Sequence, residues 1–351
     1  MSDRKKSNNK SFIRWGILII VLLFINYYHL PYYFTIPGDA KVLTEVIEVE
    51  DAYDYEGTFM LTTVRMGKAN VVNYVWSMFS DQREIIPEHH IRPEGETDEE
   101  YQERQMMAMA DSQDWAIYVA YNHAGKTAYF ENGGVFFNSI ISGMDAEKKL
   151  IVGDRIIEVN GEEIIGPQKL LNMVSQYSIG ESVPLTIERD GNIEELEVEI
   201  QPFPSELGQD GGGMGISTLY SDPEINLIYE PRVDIDTAKI GGPSAGLMFS
   251  LEIFNQLHEV DITRGYHIAG TGTVDEEGTV GRIGGVNQKV IASHNAGADY
   301  FLAPNEGGAD DSNYQLAVET ANSIGTDMEI VPIDTFVEAL EFLNQLPLKK
   351  E

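Results

Sequence analysis

The alternation of apolar and polar residues changes along the chain and predicts regions of different secondary structure. Residues 41–76 alternate and are rich in β-branched side chains, which predicts strands. Thr97 to Glu100 forms a capping-box pattern, and a long helix is predicted to follow over about 98–122. From residue 126 to 204 the pattern changes to short strands separated by glycines, with one short helix at about 168–177. The length of that segment and its pattern of short strands are typical of a small independent domain.

The C-terminal part of the chain follows a boundary rich in glycine and proline at about 202–213 and alternates between strands and helices. Strands are predicted at 226–229, at 265–269 and near 300, and helices at about 244–256, 286–295 and 335–345. Together with the preceding segments, this order predicts a mixed α+β protein.

The N-terminal segment is first basic and then strongly apolar. Residues 1–14 carry five basic residues and one acidic residue, and no Asp, Glu, Lys or Arg lies between Arg14 and Asp39. About 20 apolar residues span a bilayer as a helix, and a basic flank favours a cytoplasmic N-terminus. The sequence therefore predicts a cytoplasmic tail over 1–14, a transmembrane helix over 15–34 and export of the remainder. A cleaved signal peptide is the alternative, but no small-residue cleavage site follows the apolar stretch.

Composition then excludes several classes of protein. The 57 acidic and 24 basic residues give a formal net charge of −33, which disfavours nucleic acid as a partner. Because the chain has no cysteine, disulfides, cysteine proteases, thiolate zinc sites and iron–sulfur clusters are excluded. Hydrophobic residues make up 42% of the 351 residues, which is enough for packed cores in two or three domains.

The segment from Gly241 to Gly246 is the first candidate for chemistry. Its glycines and proline predict a tight turn that presents Ser244 at the N-terminus of an apolar helix. Unpaired N–H groups at a helix N-terminus can stabilise a serine nucleophile and form an oxyanion hole. The backbone of Gly241, Gly242 and Pro243 is expected to belong to that hole. The structural alternative is a serine that only caps a helix.

A serine nucleophile needs a general base, and histidine is one option. Residues 242–246 match the G-x-S-x-G turn of α/β-hydrolases, whose histidine follows the serine in sequence. A β-type module precedes Ser244, however, and only 107 residues follow it, which argues against that fold. His258, His267 and His294 carry no further signal of a catalytic role.

Lysine is the other option. Lys289 lies one turn into the helix predicted after Gly284 and Gly285. A lysine acts as a base when burial lowers its pKa so that the amine is neutral. The structural alternative is a solvated helix lysine.

Ser244, the glycine-rich stretch 270–285 and Lys289 together resemble the proteolytic domain of Lon proteases. The serine and the lysine are 45 residues apart, as in that family. The resemblance implies that Ser244 is the nucleophile, that Lys289 is the general base and that Thr271 helps to position the lysine. One departure is Gly241, because the family usually has aspartate at that position.

The segment 126–204 resembles a PDZ domain. Leu150 to Gly161 is similar to that family's pattern of a hydrophobic residue, then x-x-Gly-Asp-x-Ile-x-x-Val-Asn-Gly. PDZ domains bind extended peptides by adding a strand to an open sheet edge. The resemblance places this groove between strand 134–140 and helix 168–177. The expected peptide-binding residues are Gly133, Gly134, Val135 and Phe136. The alternative is a domain that serves only as a spacer.

Nucleotide and metal sites are not predicted. His123 to Thr127 resembles half of a P-loop, but the glycine that a complete P-loop needs is replaced by Ala120. The chain has no His-Glu-x-x-His motif, and its seven histidines are scattered. We therefore expect no cofactor, no metal and no nucleotide.

The order of the segments resembles the membrane-anchored, PDZ-containing Lon-like serine proteases of Gram-positive bacteria. The expected fold is α+β, with a Lon-type proteolytic domain, an inserted PDZ domain (a small β-barrel or sandwich with helices) and one preceding transmembrane helix. The expected boundaries are a tail over 1–14, a transmembrane helix over 15–34, the N-terminal part of the protease domain over 35–125, a PDZ domain over 126–204 and the Lon-type domain over 205–351.

The resemblance implies an ATP-independent Ser-Lys endopeptidase at the cell membrane, with its catalytic region outside the cell. Its partners would be extracellular peptides or unfolded proteins, which the PDZ domain helps to recognise, and a homo-oligomer is one implied assembly. Two alternatives stay open. One is a catalytically weak PDZ scaffold that holds peptides at the membrane, and the other is a Ser-His esterase that uses His267 or His294.

Overall fold

The computed structural model describes residues 13–350 except 21–23, 81, 94, 132, 205–210, 222–225 and 239. The chain divides into two compact units. Unit 1 consists of the residues up to Gly125 together with those from Pro231 onward, and unit 2 consists of Lys126–Glu230.

The strands are β1 (His29–Val42), β2 (Ile47–Val49), β3 (Thr58–Asn70), β4 (Glu84–Pro87), β5 (Thr127–Glu131), β6 (Val135–Ile140), β7 (Arg155–Val159), β8 (Glu162–Glu163), β9 (Ser182–Arg189), β10 (Asn192–Glu199), β11 (Gln201–Pro202), β12 (Gly212–Gly213), β13 (Ile216–Ser221), β14 (Asn226–Glu230), β15 (Val233–Ile235), β16 (His267–Gly270), β17 (Thr273–Val274), β18 (Val280–Gly281), β19 (Tyr300–Pro304) and β20 (Glu329–Ile333).

The α-helices are Val71–Ser77, Glu88–Ile91, Asp98–His123 (the long helix), Pro167–Val174, Gly246–Leu257 (the serine helix), Val286–Asn295 (the lysine helix), Asn313–Ile324 and Phe336–Gln345. Short 3-10 turns lie at Leu43–Glu45, Asp145–Lys148 and Glu306–Gly308. Residues 13–20 and 24–27 are also helical.

Unit 1 is built around a six-stranded sheet in the order β20-β19-β16-β3-β1-β4. β3 lies parallel to β16 and antiparallel to β1, and β2 pairs with β15 in a separate small sheet. The strands of the 41–76 stretch therefore find partners after residue 231, on the far side of unit 2 in sequence. The first half of unit 1 contributes β3, β1 and β4 and the second half contributes β16, β19 and β20, so the contact of β3 with β16 joins the two halves in one sheet.

The helices of unit 1 cover this sheet. The lysine helix packs its Val286 and Val290 side chains on Phe301 of β19, in a core that Ala317 also joins. The serine helix is buried from Gly246 to Gln256, and the long helix packs against it. The predicted capping box forms at the start of the long helix, where Thr97 and Glu100 satisfy each other's backbone N–H groups.

The predicted transmembrane helix over 15–34 is wrong at its C-terminal end. β1 begins at His29, and its aromatic residues Tyr33 and Phe34 pair with Lys68 and Gly67 of β3. Aromatic side chains favour a pleated, half-buried surface, so tertiary pairing prevails here over the apolar run. Residues 21–23, and residues 1–12 of the predicted tail, lie outside the described residues. Within the described ranges, no helix combines the length and the apolar character needed to cross a membrane.

Unit 2 contains a sheet in the order β10-β9-β7-β6-β13, with β8 beside β7. Its core buries Val135, Phe137, Ile156 and Leu185, and Met214 also belongs to it. The predicted boundary at 204 falls short of the compact unit, because β13 pairs with β6 and β14 pairs with β5. Thr127 and Glu230 are cross-strand partners, so the chain enters and leaves unit 2 at adjacent positions.

Candidate active site

Ser244 lies in the turn before the serine helix. Gly242 in this turn has φ +93°, a conformation that glycine adopts without strain. The Ser244 carbonyl accepts hydrogen bonds from the Gly272 N–H at 3.0 Å and from the Thr271 hydroxyl at 2.9 Å. The turn is therefore fastened to the segment that follows β16.

Lys289 extends from the lysine helix to Ser244 and is only 3% exposed. Its Nζ atom lies 2.6 Å from Ser244 Oγ and 2.8 Å from Thr271 Oγ1. The structure thus brings together the three residues that the sequence proposed for catalysis, although they come from three different elements of unit 1.

Burial lowers the pKa of the Lys289 amine from its ordinary value of 10.5 to about 7. The cause is desolvation, because removing an ammonium group from water disfavours its charged form. No ion pair to Lys289 occurs in the part of the chain that the structure describes. A substantial fraction of the amine is therefore neutral near pH 7, and its lone pair can accept a proton from Ser244.

Thr271 holds the amine through a chain of hydrogen bonds. Its hydroxyl donates to the Ser244 carbonyl, so an oxygen lone pair remains to accept from Lys289 Nζ. Thr271 is itself fully buried, and its N–H donates to the Leu302 carbonyl of β19 at 3.0 Å. This arrangement leaves the lysine lone pair free to face the serine.

The long helix supports the serine turn from outside. The Gly242 N–H donates to the Gln105 carbonyl at 2.8 Å, and the Ser112 hydroxyl donates to the Pro243 carbonyl at 3.0 Å. A Cβ atom on Gly241 would lie 2.9 Å from Gln105 Cβ. A larger residue at position 241 would therefore collide with the long helix, which explains the glycine where the resembling family has aspartate.

These contacts exclude Gly242 and Pro243 as N–H donors from the predicted oxyanion backbone of Gly241, Gly242 and Pro243. The Gly242 N–H is already used by the long helix, and Pro243 has no N–H. Among the described residues, the N–H groups of Ser244 and Ala245 have no backbone acceptor. Both lie immediately before the serine helix, where N–H groups are unpaired and the helix dipole is positive.

A groove of about 1060 Å³ opens beside these residues. It is lined by the serine turn, by Tyr101 and Met106 of the long helix, and by β1 and β3. β16 pairs with β3 only as far as Leu61. Residues 62–70 of β3 therefore pair with β1 on one side only, within the described chain, and the other side of the strand is an open edge at the groove.

The histidines named by the esterase alternative lie elsewhere. His258 Nδ1 is 3.1 Å from the Val260 carbonyl, while the rings of His267 and His294 contact Thr58 and Thr326 at 2.8 and 2.9 Å. No hydrogen bond between a histidine and Ser244 occurs in the described ranges. The geometry therefore favours Lys289 as the base.

The predicted peptide groove of unit 2 is at the wrong strand. Gly133, Gly134, Val135 and Phe136 belong to β6 or to its approach, and β6 has neighbours on both sides, β7 and β13. Val135 and Phe136 are paired on both sides and have no free edge to accept a peptide. The edge strands of this sheet are β10 and β13, and β13 contacts the helix Pro167–Val174.

The backbone N–H and C=O groups of successive β13 residues point alternately toward β6 and toward the open edge. The Ile141 N–H donates to the Gly215 carbonyl at 2.7 Å, which makes this a hydrogen-bonded pair. In an antiparallel ladder such pairs alternate with pairs that point outward. Ile216 and Thr218 therefore direct their N–H and C=O groups toward the open edge.

Comparison with known proteins gives two family matches. The model of the PDZ domain matches residues 108–200, and the model of the Lon protease (S16) C-terminal proteolytic domain matches residues 233–345. The second match contains Ser244, Thr271 and Lys289. The comparisons support a serine peptidase that carries a PDZ domain.

Individual proteins are also similar to parts of this chain. Lon protease 2 of Bacillus subtilis is 31% identical over 121 residues, which are 34% of this chain and 19% of the relative. A probable periplasmic serine endoprotease DegP-like of Brucella suis is 32% identical over 81 residues, 23% of this chain and 16% of that protein. The solved PDZ domain of the SdrC-like protein from Listeria monocytogenes is 20% identical, with 25% of this chain and 87% of that chain covered and a TM-score of 0.22. The chain spans less than a third of the length of these curated relatives.

Ser112 and Gln105 are residues of the candidate site that sequence reasoning did not identify. Ser112 lies three residues after Met109 and four before Ala116, so it belongs to the buried stripe of the long helix. That spacing predicts a buried position, but it gives no sign that the hydroxyl meets a turn more than a hundred residues later in the chain.

We expect Lys289→Met to stabilise unit 1 at low pH. The unfolded chain binds the lysine proton up to about pH 10.5 and the folded chain only up to about pH 7, so wild-type stability rises with pH between these values. Since one pKa unit corresponds to about 1.4 kcal/mol, the variant should gain a few kcal/mol of unfolding free energy at pH 6 and much less at pH 10. Urea unfolding followed by tryptophan fluorescence measures this, because Trp15, Trp76 and Trp115 all lie in unit 1.

The matched control for this experiment is Lys349→Met, which removes an exposed lysine paired with Asp299 and should give no such gain. A gain in Lys289→Met that is the same at pH 6 and pH 10 would contradict the depressed pKa.

Proposed function

We propose that the chain is an endopeptidase in which Ser244 attacks the peptide carbonyl and Lys289 acts as general base. The observation that carries this proposal is the distance of 2.6 Å between Lys289 Nζ and Ser244 Oγ, together with the burial of the amine. A base must lie within hydrogen-bond reach of the proton it takes and must have a pKa near the working pH. Lys289 meets both requirements.

The steps follow from these groups. Lys289 Nζ takes the hydroxyl proton as Ser244 Oγ forms a bond to the carbonyl carbon, which gives a tetrahedral oxyanion. The N–H groups of Ser244 and Ala245 are the proposed donors to that oxyanion. The lysine ammonium then gives its proton to the leaving amine as the C–N bond breaks. Water hydrolyses the acyl-enzyme in a second round with the same base.

The proposed substrate is an extended peptide. Residues 62–70 of β3 present an unpaired strand edge to the groove, and a peptide in β conformation can pair with such an edge. Backbone pairing does not require one particular side-chain sequence, so this edge suits peptides or unfolded proteins. The printed sequence contains no complete P-loop motif, and we propose that this cleavage needs no ATP.

Variants of the three site residues test the mechanism on a fluorogenic casein substrate. Ser244→Ala and Lys289→Arg should each lower kcat at least about a thousandfold, the latter because a guanidinium stays protonated and cannot act as a base. Thr271→Ala should lower kcat by about tenfold, and Thr271→Ser should restore most of it. The wild-type rate should rise with pH through about 7, the pKa of Lys289.

Lys349→Arg is the control for the charge-preserving lysine change, since Lys349 pairs with Asp299 away from the groove and should keep full activity. An active Lys289→Arg enzyme would rule out lysine as the base.

We further propose that unit 2 recognises substrates through the open edge of β13 beside the helix Pro167–Val174. The match of the PDZ domain model to residues 108–200 supports peptide binding by unit 2, and the outward direction of the Ile216 and Thr218 backbone groups supports the choice of this edge. A substrate segment that adds to this edge in extended conformation would be held there. Another part of the same substrate would then bind in the groove of unit 1. Long substrates should benefit from such holding more than short ones.

Thr218→Pro tests this assignment because proline removes one outward N–H group. The kcat/KM for full-length casein should fall by about tenfold, whereas that for an octapeptide should stay within twofold. Thr218→Ala, which keeps the N–H, is the matched control and should behave as wild type. An equal loss for both substrates would mean that the change damages folding instead of recognition.

We also propose that the N-terminal segment anchors the protein in the cell membrane, with both units outside, as in the Gram-positive enzymes that the sequence resembles. The support is the basic flank of residues 1–14 and the absence of Asp, Glu, Lys and Arg between Arg14 and the start of β1 at His29. The helical residues 13–20 and 24–27 belong to this stretch.

Protease added to intact, wall-stripped cells tests the orientation. We expect both units to be degraded from outside, because the basic segment keeps only the N-terminus in the cytoplasm. A cytoplasmic marker protein should survive the same treatment. Protection of both units until the cells are lysed would reverse the proposed topology.

A further inference from the structure

The Pro243 carbonyl has an unusual partner outside its own turn. The Ser112 hydroxyl, on the long helix, donates to this carbonyl at 3.0 Å. The turn's own hydrogen bond to the same oxygen, from the Gly246 N–H, is longer at 3.4 Å. The better-formed of the two contacts therefore comes from a helix that lies more than a hundred residues earlier in the chain.

The direction of the Pro243 carbonyl also sets the direction of the Ser244 N–H. Both groups belong to one planar peptide unit, in which the C=O and the N–H of a trans bond point in opposite directions. A hydroxyl that fixes the Pro243 oxygen therefore fixes the Ser244 N–H on the opposite side of the unit. This N–H is one of the two near the nucleophile that have no backbone acceptor within the described chain.

The peptide unit two positions earlier in the turn, between Gly241 and Gly242, is also held by the long helix. The Gly242 N–H is directed to the Gln105 carbonyl at 2.8 Å, so it points to the long helix instead of the groove. The long helix thus occupies one N–H of the turn and orients the next. Two contacts, seven residues apart on one helix face, determine which backbone groups face a bound carbonyl.

We propose that Ser112 is a positioning residue for catalysis, which orients the Ser244 N–H as an oxyanion donor through the Pro243 carbonyl. This inference rests on the proposed peptidase function. Ser112 does not touch the substrate, so its removal should affect the transition state, in which the oxyanion develops, more than substrate binding.

The surroundings of Ser112 leave little room for another arrangement. Ser112 is 4% exposed, and a Cβ atom on Gly246 would lie 3.0 Å from its Oγ. Without the Ser112 hydroxyl, the Pro243 carbonyl keeps only the longer hydrogen bond from the Gly246 N–H, which restrains its direction less well. When the Pro243 carbonyl rotates, the Ser244 N–H must rotate with it.

Ser112→Ala in the full chain tests the proposal with the casein substrate. We expect kcat to fall by about tenfold with KM within twofold, since complete loss of one oxyanion donor costs roughly 10²–10³ in kcat. The inhibition constant of a peptidyl boronic acid, which forms a tetrahedral adduct with the serine, should rise by the same factor as kcat falls. The pH midpoint of kcat should not move, because Lys289 is untouched.

Ser250→Ala is the matched control, since Ser250 is also buried and donates to a backbone carbonyl, that of Gly246, at 2.9 Å. It should leave kcat and boronate inhibition unchanged. Ser112→Cys keeps a weak donor of similar shape and should give a kcat between those of wild type and Ser112→Ala.

The outcomes separate this inference from the proposed function. Wild-type kcat and boronate inhibition in a folded Ser112→Ala enzyme would overturn the role of Ser112, while loss of activity in Ser244→Ala would still support the peptidase. An active Ser244→Ala enzyme would overturn the peptidase itself. If Ser112→Ala does not fold, Ser112→Cys decides: equal losses in kcat and in boronate affinity support the proposal, and a raised KM alone contradicts it.

Discussion

The burial of one lysine amine between two hydroxyls is the constraint on which the rest of unit 1 depends. Lys289 Nζ has Ser244 and Thr271 as its partners and is withdrawn from water. Keeping an amine in such a place is unfavourable for folding unless it is neutral, so the fold and the base chemistry are linked through the same pKa. A protein selected only for stability would place an apolar side chain there.

Three rigid elements bring this site together, and each is stabilised separately. The serine helix is buried between the long helix and the sheet, the lysine helix packs on Phe301, and Thr271 follows directly from β16. Their relative placement comes from β3, which lies between β16 and β1 and pairs with both. This strand therefore joins the two halves of unit 1.

Sequence reasoning found the residues with chemical motifs and missed those defined by tertiary neighbours. Ser244, Thr271 and Lys289 carry glycine-rich flanks and a fixed spacing, and they lie together in the structure. The position of β13 beside β6 could not be read in this way, because the order of strands in a sheet is not encoded by local alternation. The sequence predicts a helix over residues 29–34, because an apolar run has the same pattern in a buried strand and in a membrane helix. Ser112 has no motif at all.

The adjacent ends of unit 2 have a consequence for how unit 1 folds. β3 can pair with β16 only when the chain of about two hundred residues between them has closed into a loop, and closing a loop of that length slows folding. Thr127 and Glu230 are partners in a ladder, so a folded unit 2 brings the ends of its own segment together beforehand. The loop that unit 1 must still close is then effectively shorter, so closing it costs less conformational entropy. Unit 2 would in this way act as an internal folding aid, which shortens the search by which β3, already paired with β1, finds β16.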